Sequence, residues 1–146
     1  MENERWENLE VWKLADELAL RVYLVTKGFP KDELYRITSQ IQRAALSIPT
    51  NIVRGYSKKV DKELSHFLSI SFVSSSEVKY LIHFTRRLGY LSEEEAGHLE
   101  SSCDKVRKRL CSFYSRGKHN IEPPRCLAAQ PPCCPAASLF SHYAHP

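Results

Sequence analysis

The stretch from Leu34 to Tyr56 constrains the fold of this chain more than any other. Leu34, Ile37, Ile41, Ala44, Ala45 and Ile48 recur three and four residues apart, the spacing that lines one face of an α-helix with apolar side chains. Arg36, Arg43 and Arg54 stand between and beyond them, so basic residues run the length of the same helix. Pro49 falls inside the run; it lacks an N–H and should kink or break the helix there. Two readings of that bend stay open. It shapes a binding surface, or it lets the helix wrap its neighbours. Asn51 is placed to cap or satisfy the carbonyls that the proline frees.

Three more segments carry the same periodicity. From about Asn8 to Lys27, Trp12, Ala15, Ala19, Val22 and Thr26 form a stripe that Leu18 and Val25 widen. Gly28 ends this helix, and Pro30 starts the second, with Asp32 and Glu33 in its first turn. Gly55 closes the second helix, and the basic loop Ser57-Lys58-Lys59-Val60 leads to Asp61, a cap for the third. That helix turns Leu64, Phe67, Leu68, Ser71, Ser75, Val78, Leu81, Ile82, Thr85 and Leu88 inward, and Gly89 stops it. Ser92 with Glu95 forms a capping box for the fourth, where Leu99, Cys103, Val106, Leu110 and Phe113 make a heptad seam. Four amphipathic helices with short loops predict an all-α fold, an antiparallel up-down four-helix bundle spanning residues 1–117. After Gly117 prolines, alanines and cysteines take over and periodicity ends, so residues 118–146 read as a disordered tail. Phe72, Val73, Tyr80 and Phe84 fall outside the main stripe of the third helix. The third and fourth helices together carry more apolar surface than one bundle needs, which predicts a homo-oligomer.

Chemistry is harder to find than architecture. The five cysteines include no Cys-x-x-Cys, and adjacent Cys133 and Cys134 cannot easily serve one tetrahedral zinc. Reduced thiols fit better, with Cys103 a small hydrophobe on the seam. His66, His83 and His98 show no metal-ligand spacing, and nothing orients the serines Ser74, Ser75 and Ser76 against a base. The dispersed glycines make no phosphate loop. These readings predict no enzyme, no metal and no cofactor. The longest apolar-rich stretch, near Phe67 to Val73, is too short to span a bilayer, and no signal peptide is legible, so the expected setting is the cytoplasm without membrane contact.

The basic residues remain. Net charge is +4 and the pI about 8.8, a balance that permits a polyanionic partner without demanding one. Arg36, Arg43, Arg54, Lys58, Lys59 and Lys62 face a single acid, Asp61, between positions 36 and 62; Arg86 and Arg87 add to them, as does the cluster from Lys105 to Arg109. Such residues bind phosphates of any sequence, and Tyr35, Tyr56 and Tyr90 stand near helix ends where unpaired bases could stack. The competing reading is a plain solvated helical surface.

Residues from about Leu9 to Phe113 resemble the 23S rRNA intervening-sequence protein family. The likeness rests on Leu9-Glu10-Val11-Trp12, Phe29-Pro30-Lys31, Leu34-Tyr35, Thr38-Ser39-Gln40-Ile41, Arg43-Ala44-Ala45, Ser47-Ile48-Pro49, Asn51-Ile52, Gly55-Tyr56, Phe67-Leu68 and Arg87-Leu88-Gly89-Tyr90-Leu91, in that order. The resemblance implies an up-down bundle assembled as a ring-shaped homopentamer. It also implies kinship with the accessory variability proteins of diversity-generating retroelements, which share the ring and bind nucleic acid and a reverse transcriptase. Val53 and Arg54, Val73 and Lys79 depart from the family's usual pattern. Three functions follow as alternatives: an RNA-associated protein linked to ribosomal RNA or its intervening sequence, an accessory subunit of a retroelement reverse transcriptase, or a protein-binding structural oligomer.

Overall fold

A computed structural model describes residues 5–58 and 61–116 of the chain. These form four α-helices and no strand: α1 (Glu10–Val25), α2 (Ser39–Tyr56), α3 (Asp61–Arg87) and α4 (Glu93–Arg116). Lys59, Val60 and the segment 117–146, on which the expected disordered tail falls, lie outside the described residues.

Cross-helix bonds give the helix directions. Along α2 and α3, Gln40 meets Glu77, Ser47 meets Ser74, and Ser71 donates to the Ile48 carbonyl, so the two run antiparallel. Lys79 bonds Asp104 at 2.6 Å and Arg86 approaches Glu93 at 3.6 Å, which sets α3 against α4. Arg109 near the end of α4 bonds Glu10 at the start of α1, 2.7 Å away, closing the square. Each helix packs chiefly on two neighbours. α1 and α3, both resting on α2 and α4, therefore occupy diagonally opposite corners.

The core follows the apolar stripes closely. Ala15, Leu18, Val22, Ile41, Ala45, Ile48, Val78, Ile82, Cys103 and Val106 are wholly buried. Small groups sit among them: Ser71, Ser75 and Thr85 are also buried, and their hydroxyls bond helix carbonyls instead of standing unsatisfied. Burial pushes the Cys103 thiol up to about 11, and its Sγ donates to the Ser75 carbonyl at 3.1 Å, so it behaves as a packing group.

Two helix boundaries form as their residues predict. Gly89 has φ +76°, a conformation that costs a side-chain-bearing residue energy. Its N–H bonds the Arg86 carbonyl, and the Tyr90 N–H bonds that of Thr85, the paired arrangement that ends a helix on a left-handed residue. Replacing Gly89 with alanine should cost about 1 kcal/mol, measured by denaturant unfolding, with no change in helix content. At α4 the Ser92 N–H donates to Glu95 Oε2 at 2.9 Å, and the Glu95 N–H donates to Ser92 Oγ at 3.2 Å. The bond from the Ser92 backbone, then that from its hydroxyl, holds the Glu95 carboxyl below its ordinary pKa.

Elsewhere the structure corrects the periodicity. α2 runs unbroken through Pro49. Asn51 donates to the Ser47 carbonyl at 2.8 Å and Thr50 to that of Leu46 at 2.7 Å. Asn51 thus serves the carbonyl of Ser47 and not that of Ala45, the one Pro49 leaves without a donor. Gly55 lies inside α2 and does not end it. Its purpose is close approach: a Cβ there would stand 3.0 Å from Phe67 Cβ and 3.1 Å from Leu64 Cδ1. Phe72, expected on the outside, is buried beneath the Arg107 guanidinium, 4.3 Å from its ring centre. Leu34 and Leu88, expected inside, are exposed.

Candidate nucleic-acid interface

The second helix does not begin where its pattern begins. After Pro30 the chain makes a tight turn over Lys31–Glu33 and then a wide, π-type turn over Leu34–Thr38. Arg36 breaks the helical path with φ −114° and ψ −105°. The wide turn slips the register of Leu34 and Tyr35 relative to α2. Leu34 is turned to solvent, Tyr35 is 90% exposed, and Thr38 is buried with an unpartnered hydroxyl. Wide turns of this kind occur disproportionately at functional sites.

Below that turn lies a cleft of about 670 Å³ between α2 and α3. Tyr35, Arg36, Ser39, Gln40 and Arg43 form one wall, and Ser74 and Glu77 of α3 form the other. Gln40 Nε2 donates to Glu77 Oε1 at 3.3 Å, and the Ser47 and Ser74 hydroxyls bond at 2.9 Å, so both walls are tied across the floor.

From this cleft a polar stripe continues along α2. Gln40, Arg43, Ser47, Thr50 and Arg54 recur three and four residues apart, which keeps them on one face. Arg43 and Arg54 are separated by three turns, about 16 Å of helix. Lys58 follows beyond the end of α2, and Lys62 stands in the first turn of α3. Arg36, Arg43, Arg54, Lys58 and Lys62 are exposed, and none forms an ion pair with another described residue.

The remaining basic candidates sit differently. Lys59 lies outside the described residues. Arg87 is exposed at the opposite end of the bundle from Arg54 and Lys58. Arg86 is drawn into the α3–α4 seam by Glu93 and by Glu100 at 3.7 Å, with His83 Nδ1 3.0 Å away. In the Lys105 to Arg109 cluster, Arg107 covers Phe72 and bonds Ser76, while Arg109 is committed to Glu10. The structure therefore brings Arg36 and Arg43 together at the cleft and leaves Arg54 near the far end of α2, with Lys58 just past that end and Lys62 in the first turn of α3. Gln40, Ser47 and Glu77 line the cleft although the sequence reading names none of them as a site residue. Gln40 and Ser47 could have been found by extending the Arg43 stripe by one turn each way, whereas Glu77 required knowing how α3 pairs with α2.

Apolar groups are exposed on two other faces. Leu20, Tyr23 and Leu24 form a patch on α1, and Val73 (62% exposed) and Tyr80 (63% exposed) form one on α3, with Phe84 stacked on Tyr80. Among the described residues the exposed large apolar side chains include none from α4; beyond the α1 and α3 patches they include Leu46 of α2. Among the described residues, no group of three or more His, Cys, Asp or Glu side chains comes together to hold a metal ion, and no helix is long and apolar enough to cross a membrane.

The class defined by these features is a small antiparallel helical bundle whose second helix carries basic side chains without ion-pair partners among the described residues. The chain belongs to the 23S rRNA-intervening sequence protein family, whose sequence profile matches residues 7–112. The fold is also that of a solved protein of unknown function from the S23 ribosomal protein family of Bacteroides thetaiotaomicron VPI-5482. The two share 20% identity over 71% of this chain and 97% of the other, with a TM-score of 0.65. No functionally curated protein matches the chain.

Proposed function

We propose that this is a non-enzymatic, RNA-associated protein of the cytoplasm, linked to ribosomal RNA or its intervening sequence, and that it works as a ring of identical chains. The observation that carries the RNA reading is the exposed pair Arg43 and Arg54 along α2, with Arg36 before the helix and Lys58 and Lys62 beyond its end, all with no ion-pair partner among the described residues. Basic side chains left without carboxylates are available to phosphates. The family's name, which refers to an intervening sequence of 23S rRNA, supports the choice of RNA.

The two exposed apolar patches support assembly. Because α1 and α3 sit at opposite corners, a contact of one patch on the other joins unlike faces of successive copies. Unlike-face contacts close into rings when the rotation permits, and a pentamer is the closure that family resemblance favours. A ring repeats these basic residues in every subunit, so a monomer charge of +4 becomes a concentrated field.

The test is a salt titration of affinity for a structured RNA, with light scattering to fix the size of the binding species. Affinity should fall steeply with salt as counterions are released. Replacing Arg43, Arg54 and Lys58 with alanine should weaken binding to all RNAs alike and flatten the slope by about two to three. An unchanged slope removes these residues from the interface, and a strictly monomeric protein at micromolar concentration removes the ring.

A further inference from the structure

We infer that the cleft between the wide turn and α3 holds one unpaired nucleotide of a single-stranded segment, and selects guanine there. The inference rests on the RNA reading above and adds a base-specific site to a surface that would otherwise contact phosphates alone. A cleft of about 670 Å³ is in the range of small-ligand sites. Its walls divide into three chemical parts.

The first is a stacking surface. Tyr35 is 90% exposed at the mouth of the cleft and has no ring contact with another described residue. An aromatic ring held out by the backbone, beside two arginines, suits a base turned out of its stack. The second is charge: Arg36 and Arg43 line the same cleft, unpaired, within reach of the phosphates on either side of that base.

The third part is the Gln40–Glu77 pair, which a plain phosphate surface does not explain. A carboxylate in the same cleft as two arginines weakens their hold on an anion. Glu77 is exposed and forms an ion pair with neither Arg36 nor Arg43. Its Oε1 accepts from Gln40 Nε2 at 3.3 Å. The carboxylate thus offers two adjacent acceptors, and the Gln40 amide has a second N–H to give. The Watson–Crick edge of guanine presents two adjacent N–H donors beside one carbonyl acceptor, which is the complement of this set. Adenine, cytosine and uracil cannot supply two adjacent donors. Pairing of this kind with a side chain is worth enough to discriminate bases.

The test compares single-stranded oligouridine carrying one central guanine with the same strand carrying adenine or cytosine. The parent protein should bind the guanine strand about tenfold tighter. Glu77→Gln should abolish that preference while leaving oligouridine affinity equal or higher, since it removes a negative charge. Tyr35→Ala should weaken all strands about tenfold. Both side chains are exposed, so circular dichroism should show an unchanged fold. Equal affinity for the strands, or a guanine preference that survives Glu77→Gln, overturns the inference. In that case, salt-sensitive binding that still depends on Arg54 and Lys58 leaves the RNA reading standing; no binding of any strand at low salt removes both.

Discussion

Reversing the charge of the basic residues on α2 and just past its end, with Arg43, Arg54 and Lys58 all changed to glutamate, is expected to eliminate measurable RNA binding at about 150 mM salt. The effect should exceed that of the alanine variant by far. Alanine removes three attractive contacts, whereas glutamate puts three repulsive charges in their place against a dense row of phosphates. The fold should survive. All three side chains are exposed without ion-pair partners among the described residues, and glutamate forms helix nearly as well as arginine and lysine. Gel filtration and circular dichroism should match the parent. If the variant kept near-parental RNA affinity, these residues would have to be solvated surface and nothing more.

Gly55→Val is expected to destabilise the bundle by about 2 kcal/mol. The reasoning is steric. A Cβ at position 55 meets Phe67 Cβ at 3.0 Å and Leu64 Cδ1 at 3.1 Å, and the Phe67 atom is anchored directly to the α3 backbone. α2 and α3 must therefore separate at this crossing. The melting midpoint should drop on the order of 10 °C. Gly97 provides the contrast, since it lies in exposed helix and a Cβ there would have nothing within 4 Å. Gly97→Ala should raise stability by up to about 1 kcal/mol, the ordinary helix propensity difference. Equal responses at the two glycines would contradict the close-packing account of Gly55.

The bundle was legible because its helices announce themselves twice, in stripe and in cap. Val22, Ile41, Ile82 and Val106 lie where three-and-four spacing puts them, and Gly89 and the Ser92–Glu95 pair mark true ends. The errors share a cause. Spacing reports a face only while the helix is regular, and the wide turn at Arg36 slips the register without altering a single residue. Leu34 therefore reads as core and stands in solvent. Phe72 reads as surplus because its cover, Arg107, comes from another helix. Gly55 reads as a stop because a sequence does not show what crosses it.

The site was legible in its charges and not in its shape. Arg36, Arg43 and Arg54 could be named from composition, but which basic residues keep their charge free depended on the partner helices. Arg86 and Arg109 read like Arg43 in sequence, but Glu100 and Glu10 stand beside them in the fold. The cleft is a tertiary feature. Tyr35 and Glu77 reach it from positions more than forty residues apart in the chain, and no local pattern links them.

The most direct test of the central claim is ultraviolet cross-linking of the protein to RNA, followed by identification of the attached peptides. Cross-links should concentrate on the segment from Leu34 to Lys58, with α4 largely free of them, and should vanish in the charge-reversed variant. Cross-links confined to α4, or spread evenly over all four helices, would contradict the assignment of RNA binding to the α2 face.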